Sequence, residues 1–181
     1  HCLFNPRSRA PVPLSELRFV AGFHRGEYVE LREIVDAAVL PGFVIGARAT
    51  LDGVREDLGL LVLGRDVTDP RITIFSPGAV RPDPATIVSY ARDRSQAPSI
   101  QGPCEVRAAQ AGILALACPV NFGASGAPVL AGDGDAREIV AVVSAIGATE
   151  AGEEVALAVP LANRIADLDA ELAASDWPGG Q

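Results

Sequence analysis

Residues 118–130 read Cys118-Pro119-Val120-Asn121-Phe122-Gly123-Ala124-Ser125-Gly126-Ala127-Pro128-Val129-Leu130. A serine stands between glycines in a loop, and an apolar run follows it. Glycine adopts backbone conformations that tight turns demand, so Gly123 and Gly126 let the chain bend sharply around Ser125. The amide hydrogens near Ser125 can then point at one position, where a developing oxyanion would be stabilised as acyl transfer requires. Small residues also suit any tight β-turn, so the loop alone leaves both readings open.

On either side of this loop the chain is made of short apolar runs separated by turn residues. Residues 128–130, 139–145 and 155–159 downstream, and 86–90, 104–108 and 113–117 upstream, read as strands at the spacing of a sandwich or barrel. Further upstream, 17–20 and 27–40 read as extended structure, the latter ending at Pro41-Gly42. The nearly continuous apolar run 58–63, closed by Gly64, suits a strand buried on both faces. Residues 45–55 read as a mobile loop, and 66–84, with four prolines, as the crossing between two halves. Leu161, Ile165, Leu168 and Leu172 recur at helical spacing and predict an amphipathic helix over 161–174, with 176–180 fraying behind it. The chain thus divides into 1–75, 76–160 and a helical tail, 161–181.

Composition agrees with a β-rich globule. Across 181 residues, 49% are hydrophobic and only 5% aromatic, with 18 Gly and 14 Pro, which favours small aliphatic strands and frequent turns. The net charge of −8, with arginine as the only strong base, argues against nucleic acid and anionic lipid as partners. No run approaches the roughly 20 apolar residues that a membrane-spanning helix needs. The chain begins at His1 and lacks methionine, which implies that upstream sequence has been removed. Three cysteines leave one without a partner if two are bridged, and Cys2 is the natural orphan.

Two further segments extend the pattern around Ser125. His1-Cys2-Leu3 is similar to the end of the Thr-Ala-Ala-His-Cys motif, and Arg55-Glu56-Asp57-Leu58-Gly59-Leu60-Leu61 sets an Asp before a buried strand. Asp52 competes for that place, but Asp57 directly abuts the apolar run. With the order His, Asp, Ser, nearly the whole chain resembles the chymotrypsin/trypsin-like serine peptidase superfamily. The resemblance implies an all-β fold of two six-stranded Greek-key β-barrels, the first incomplete here, with a C-terminal α-helix. It implies a secreted or periplasmic endopeptidase in which Ser125 attacks, His1 carries the proton, Asp57 orients the imidazole and the amides of Gly123 and Ser125 form the oxyanion hole. It also implies a Cys104–Cys118 disulfide and chemistry that needs no cofactor or metal. A disordered terminal residue is the bland competitor for His1, and chelation of a metal such as copper by its amine and imidazole is a third reading.

Some positions depart from the family pattern. Ala124 stands where members activated by a new N-terminal amine carry Asp, which makes the bacterial, glutamyl-endopeptidase-like branch the nearer resemblance. Val143 stands where glutamyl endopeptidases are expected to have His. The expected substrate-binding residues, Val120, Phe122, Val143, Ser144, Ala145 and Ile146, carry no charge, so a small or aliphatic side chain before the cut bond is expected. The strands that precede the histidine in the family are expected from an upstream segment or from a second polypeptide that could also pair with Cys2. If neither exists, the alternative is a catalytically silent peptidase-like binding or scaffolding subunit.

Overall fold

A computed structural model describes residues 1–46, 49–79 and 84–178, except for the side chain of residue 135. The first half of the chain forms an antiparallel sheet of three strands, β1 (Arg18–Ala21), β2 (Glu30–Val39) and β3 (Gly59–Leu63), in that order. The register of β2 against β3 shifts between Ile34 and Asp36, so Val35 bulges and the faces of β2 change over. One face sets Ile34, Ala37 and Leu63 against Leu14, Leu17 and Trp177. Leu60, with Leu40 and Leu58, instead packs against Val159, Leu161 and Leu168 from later in the chain.

Two expectations for this half are corrected. Residues 45–55 are not simply a loop: they contain a short helix, α1 (Leu51–Arg55), with Val54 buried, while 47 and 48 lie outside the described residues. Thr50 caps it by accepting from the Gly53 amide at 3.1 Å, which offsets the helix-weakening glycine. The end of the chain does not fray as a whole either. Trp177 donates its indole N–H to the Val12 carbonyl at 3.0 Å and meets Phe4 edge-on at 5.6 Å, whereas 179 and 180 lie outside the described residues.

Beyond residue 84 a second antiparallel sheet is built from β4 (Ala85–Ser89), β5 (Ser99–Cys104), β6 (Val106–Gln110), β7 (Ile113–Leu116), β8 (Pro128–Ala131), β9 (Glu138–Ala148) and β10 (Glu154–Pro160). Its order is β5-β4-β8-β9-β10-β7-β6. The two outermost strands, β5 and β6, are separated in sequence by Glu105 alone, so the sheet's edges are one bent segment and the sheet closes into a barrel. The strand expected at 104–108 is the middle of that segment. Counted once, it brings the barrel to the six strands expected.

Cys104 and Cys118 are bridged at this corner, with their Cα atoms 5.3 Å apart. Ile87, Leu116, Val129, Ala141, Ala156 and Ala158 fill the barrel with no exposed surface. The final helix, α2 (Arg164–Ala173), buries Leu168 and packs the half-buried Ile165 against the seam between the halves. Full burial of one such leucine contributes about 1.5–3 kcal/mol. Arg164 pairs with Glu56 at 3.2 Å, tying the start of α2 to the residue before Asp57. Among the described residues no helix is long and apolar enough to cross a membrane.

Candidate active site

Asp57 lies in the turn between α1 and β3. Its amide donates to the Val54 carbonyl at 3.1 Å, and Leu40 donates to the Leu58 carbonyl at 3.1 Å, so the carboxylate enters the seam from a braced backbone. Its side chain is only 9% exposed. Desolvation of that degree requires hydrogen-bonded compensation, and three donors supply it. They are the main-chain nitrogen of His1, the imidazole Nδ1 of His1 and, at 2.5 Å, the hydroxyl of Ser144.

The pairing fixes the histidine ring. With Nδ1 turned to Asp57, Nε2 is the nitrogen left for another partner. The Asp57 carboxylate, chiefly through that hydrogen bond and with the neighbouring Cys2 adding to it, pushes the imidazole from its ordinary 6.5 up to about 10 against the opposing effect of burial. Asp52, the competing acid, is instead exposed and pairs with Arg55.

Ser125 sits in a loop held at both ends. At the exit, Gly126 donates to the Val143 carbonyl at 2.8 Å, and Val143 donates to the Ala127 carbonyl at 2.9 Å. At the other end, Phe122 donates to its neighbour Asn121 Oδ1 at 2.7 Å, while its carbonyl accepts from the Arg92 amide at 2.7 Å. Gly123 has φ of +90°, and a Cβ there would stand 3.0 Å from the Arg92 nitrogen, so both conformation and space demand glycine.

The amides inside the loop divide sharply. Those of Phe122, Ala124, Gly126 and Ala127 are all hydrogen-bonded, whereas those of Gly123 and Ser125 have no partner among the described residues. Two such donors, the serine's own amide and the one two residues before it, can receive an oxygen that becomes negatively charged. The Ser125 hydroxyl itself donates to the Ser144 carbonyl at 3.2 Å, and no hydrogen bond joins it to His1 among the described residues.

Among solved structures the fold has a similar neighbour. A thermostable serine protease from an extremophilic microorganism superposes on 87% of this chain and 76% of its own, with a TM-score of 0.60 and 13% sequence identity. This chain has a serine-protease fold. No family model and no curated protein matches its sequence.

In this serine-protease fold the expected substrate-binding residues separate by position. Val120 and Val143 are buried in the barrel core, and Ser144 lies beneath Asp57. Phe122, at 65% exposed, and Ile146 reach the surface, with Ala145 partly covered between Ser144 and Ile146. The β8 pairing of β9 ends at Val142 and Val143, Ser144 is passed over by a register shift against β10, and Ala145 and Ile146 pair only with β10, which leaves an open edge beside Ser125.

Ser144 is the residue whose place the sequence did not reveal. Its hydroxyl holds Asp57, 87 positions away in sequence, and its carbonyl holds Ser125, 19 away, which links the acid to the serine. A serine ending an apolar strand was the only visible signal.

Proposed function

We propose that this chain is a serine endopeptidase that cleaves peptide bonds through an acyl-enzyme. The observation that carries the reading is the pair of amides, Gly123 and Ser125, that have no partner among the described residues, in the loop of a serine whose neighbour Ser144 also holds the His1–Asp57 pair. In the proposed cycle Ser125 turns from the Ser144 carbonyl to His1 Nε2, surrenders its proton and attacks the scissile carbonyl. The amides of Gly123 and Ser125 receive the oxyanion, His1 protonates the departing amine, and water then repeats the sequence to release the acyl group. Asp57 holds the imidazole in the useful orientation throughout.

The open edge at Ala145 and Ile146 suits an extended peptide adding as a strand, and the uncharged surroundings suit a small or aliphatic side chain before the cut bond. The Cys104–Cys118 bridge fits an oxidising, secreted or periplasmic setting. Ala124 accords with the bacterial, glutamyl-endopeptidase-like branch. We further propose that strands from upstream sequence or a second polypeptide complete the three-stranded sheet, with the exposed thiol of Cys2 available to bridge them.

A second reading, a silent peptidase-like binding subunit, draws on two features. Ser125 is hydrogen-bonded to Ser144 and not to His1, and an imidazole at about 10 is already protonated at neutral pH. The experiment that separates the readings is peptide hydrolysis as a function of pH. The enzyme reading expects kcat/KM to rise through the neutral range toward pH about 10, as His1 loses its proton, and Ser125→Ala to abolish turnover. Folded protein that cleaves no peptide anywhere in that range leaves the binding reading standing.

A further inference from the structure

The loop that carries Ser125 leans on a residue to which neither the sequence nor the proposed cycle gives a part. Arg92 donates its amide to the Phe122 carbonyl at 2.7 Å, and its nitrogen would stand 3.0 Å from a Cβ at Gly123, a tight contact. Its guanidinium lies over the Phe122 ring, 5.4 Å from the centroid. Stacking of this kind holds the guanidinium plane and leaves its N–H edges open to a carboxylate. Arg92 is exposed and has no ion-pair partner among the described residues, whereas Arg94 has Asp93 at 3.6 Å. In a chain of net charge −8, an unpaired cation beside the candidate oxyanion amides is a local inversion of sign.

Position gives that charge a target. The exit of the Ser125 loop is bonded to β9 through Gly126 and Val143, and its entrance is bonded to Arg92 through Phe122. Ser125 therefore stands between the open β9 edge on one side and the Phe122–Arg92 stack on the other. A peptide whose acyl half lies along Ala145 and Ile146 would bring its leaving half toward the stack. We propose that Arg92 selects substrates bearing an acidic side chain immediately on the leaving-group side of the cut bond. The inference rests on the peptidase reading and adds a substrate class to it.

The test begins by incubating the full chain with a mixed peptide library and reading both ends of every cut by mass spectrometry. One cleaved sequence is then made with Glu, Gln or Lys after the cut. Glu should exceed Gln by roughly two- to fivefold in kcat/KM, the scale of an exposed ion pair, and Lys should fall below Gln. Raising the ionic strength from about 0.02 M to about 0.5 M should erase the preference without any mutation, because exposed charges are screened. Arg92→Glu should invert the order of Glu and Lys, and Arg92→Lys should keep it, a pattern that loss of loop structure alone does not produce. Cleavage with a Glu to Gln ratio of one, or a ratio indifferent to salt and to Arg92→Glu, overturns this proposal and leaves the peptidase reading intact. A library left uncut overturns both.

Discussion

The sheet of β4 to β10 meets itself at Glu105, whereas the sheet of β1 to β3 ends in a strand at either side. The consequence is visible in their side chains. Ile87, Leu116 and Val129 of the closed sheet have no exposed surface, while Phe19, Val20, Leu31, Val35 and Leu61 of the open one each keep between 37% and 42% of theirs. Closure gives a barrel an inside, and an apolar residue on an open sheet is covered only where another element happens to lie. The open sheet depends on Leu14, Leu17 and Trp177 on one face and on the α2 seam for Leu60. The candidate site spans both regimes, with Ser125 and Ser144 on the barrel and Asp57 at the edge of the open sheet.

A pair of truncations read by urea unfolding should show the largest difference between the two sheets. Ile87→Ala or Leu116→Ala should cost about 2–5 kcal/mol, because the closed barrel cannot collapse around the missing volume. Comparable loss from Leu31→Ala would mean that the open sheet is as closely covered as the barrel. Removing the bridge at the barrel's corner with Cys104→Ala and Cys118→Ala should cost about 2–4 kcal/mol. Its effect should appear in the transition of the barrel, followed by amide hydrogen exchange.

A third prediction concerns the seam. Because Asp57 raises His1 from 6.5 to about 10, the stabilisation from that pair is fully present below pH 6.5 and is lost as pH rises through about 10. Thermal melts from pH 6 upward should therefore decline more steeply for the unaltered protein than for Asp57→Asn. Parallel declines would contradict the pairing. The smallest effect belongs to the open face, where Leu31→Thr should change stability by less than about 0.5 kcal/mol.

Legibility in the sequence followed the same division. The barrel strands and the Ser125 loop declare themselves because their glycines, apolar runs and turns act over a few residues. Asp57 could be preferred over Asp52 from its place against the apolar run, and Asp52 does pair elsewhere, with Arg55. The helix α1 was hidden because it is a single turn or so containing Gly53, held by a Thr50 cap whose worth depends on geometry. Trp177 looked like part of a loose tail because its partners, Phe4 and Val12, lie at the opposite end of the chain. Ser144 was expected only at the substrate face and Arg92 had no expected part, for a related reason. Each matters through a contact made across the fold, and nothing in its own neighbourhood announces the partner.

The central claim is that Ser125 is a nucleophile served by His1. A fluorophosphonate probe, which reacts only with an activated serine, tests it on the intact chain. The account predicts one label on the peptide carrying Ser125, faster labelling as pH rises toward about 10, and none in Ser125→Ala or His1→Ala. Folded protein that remains unlabelled at Ser125 across that range would contradict it.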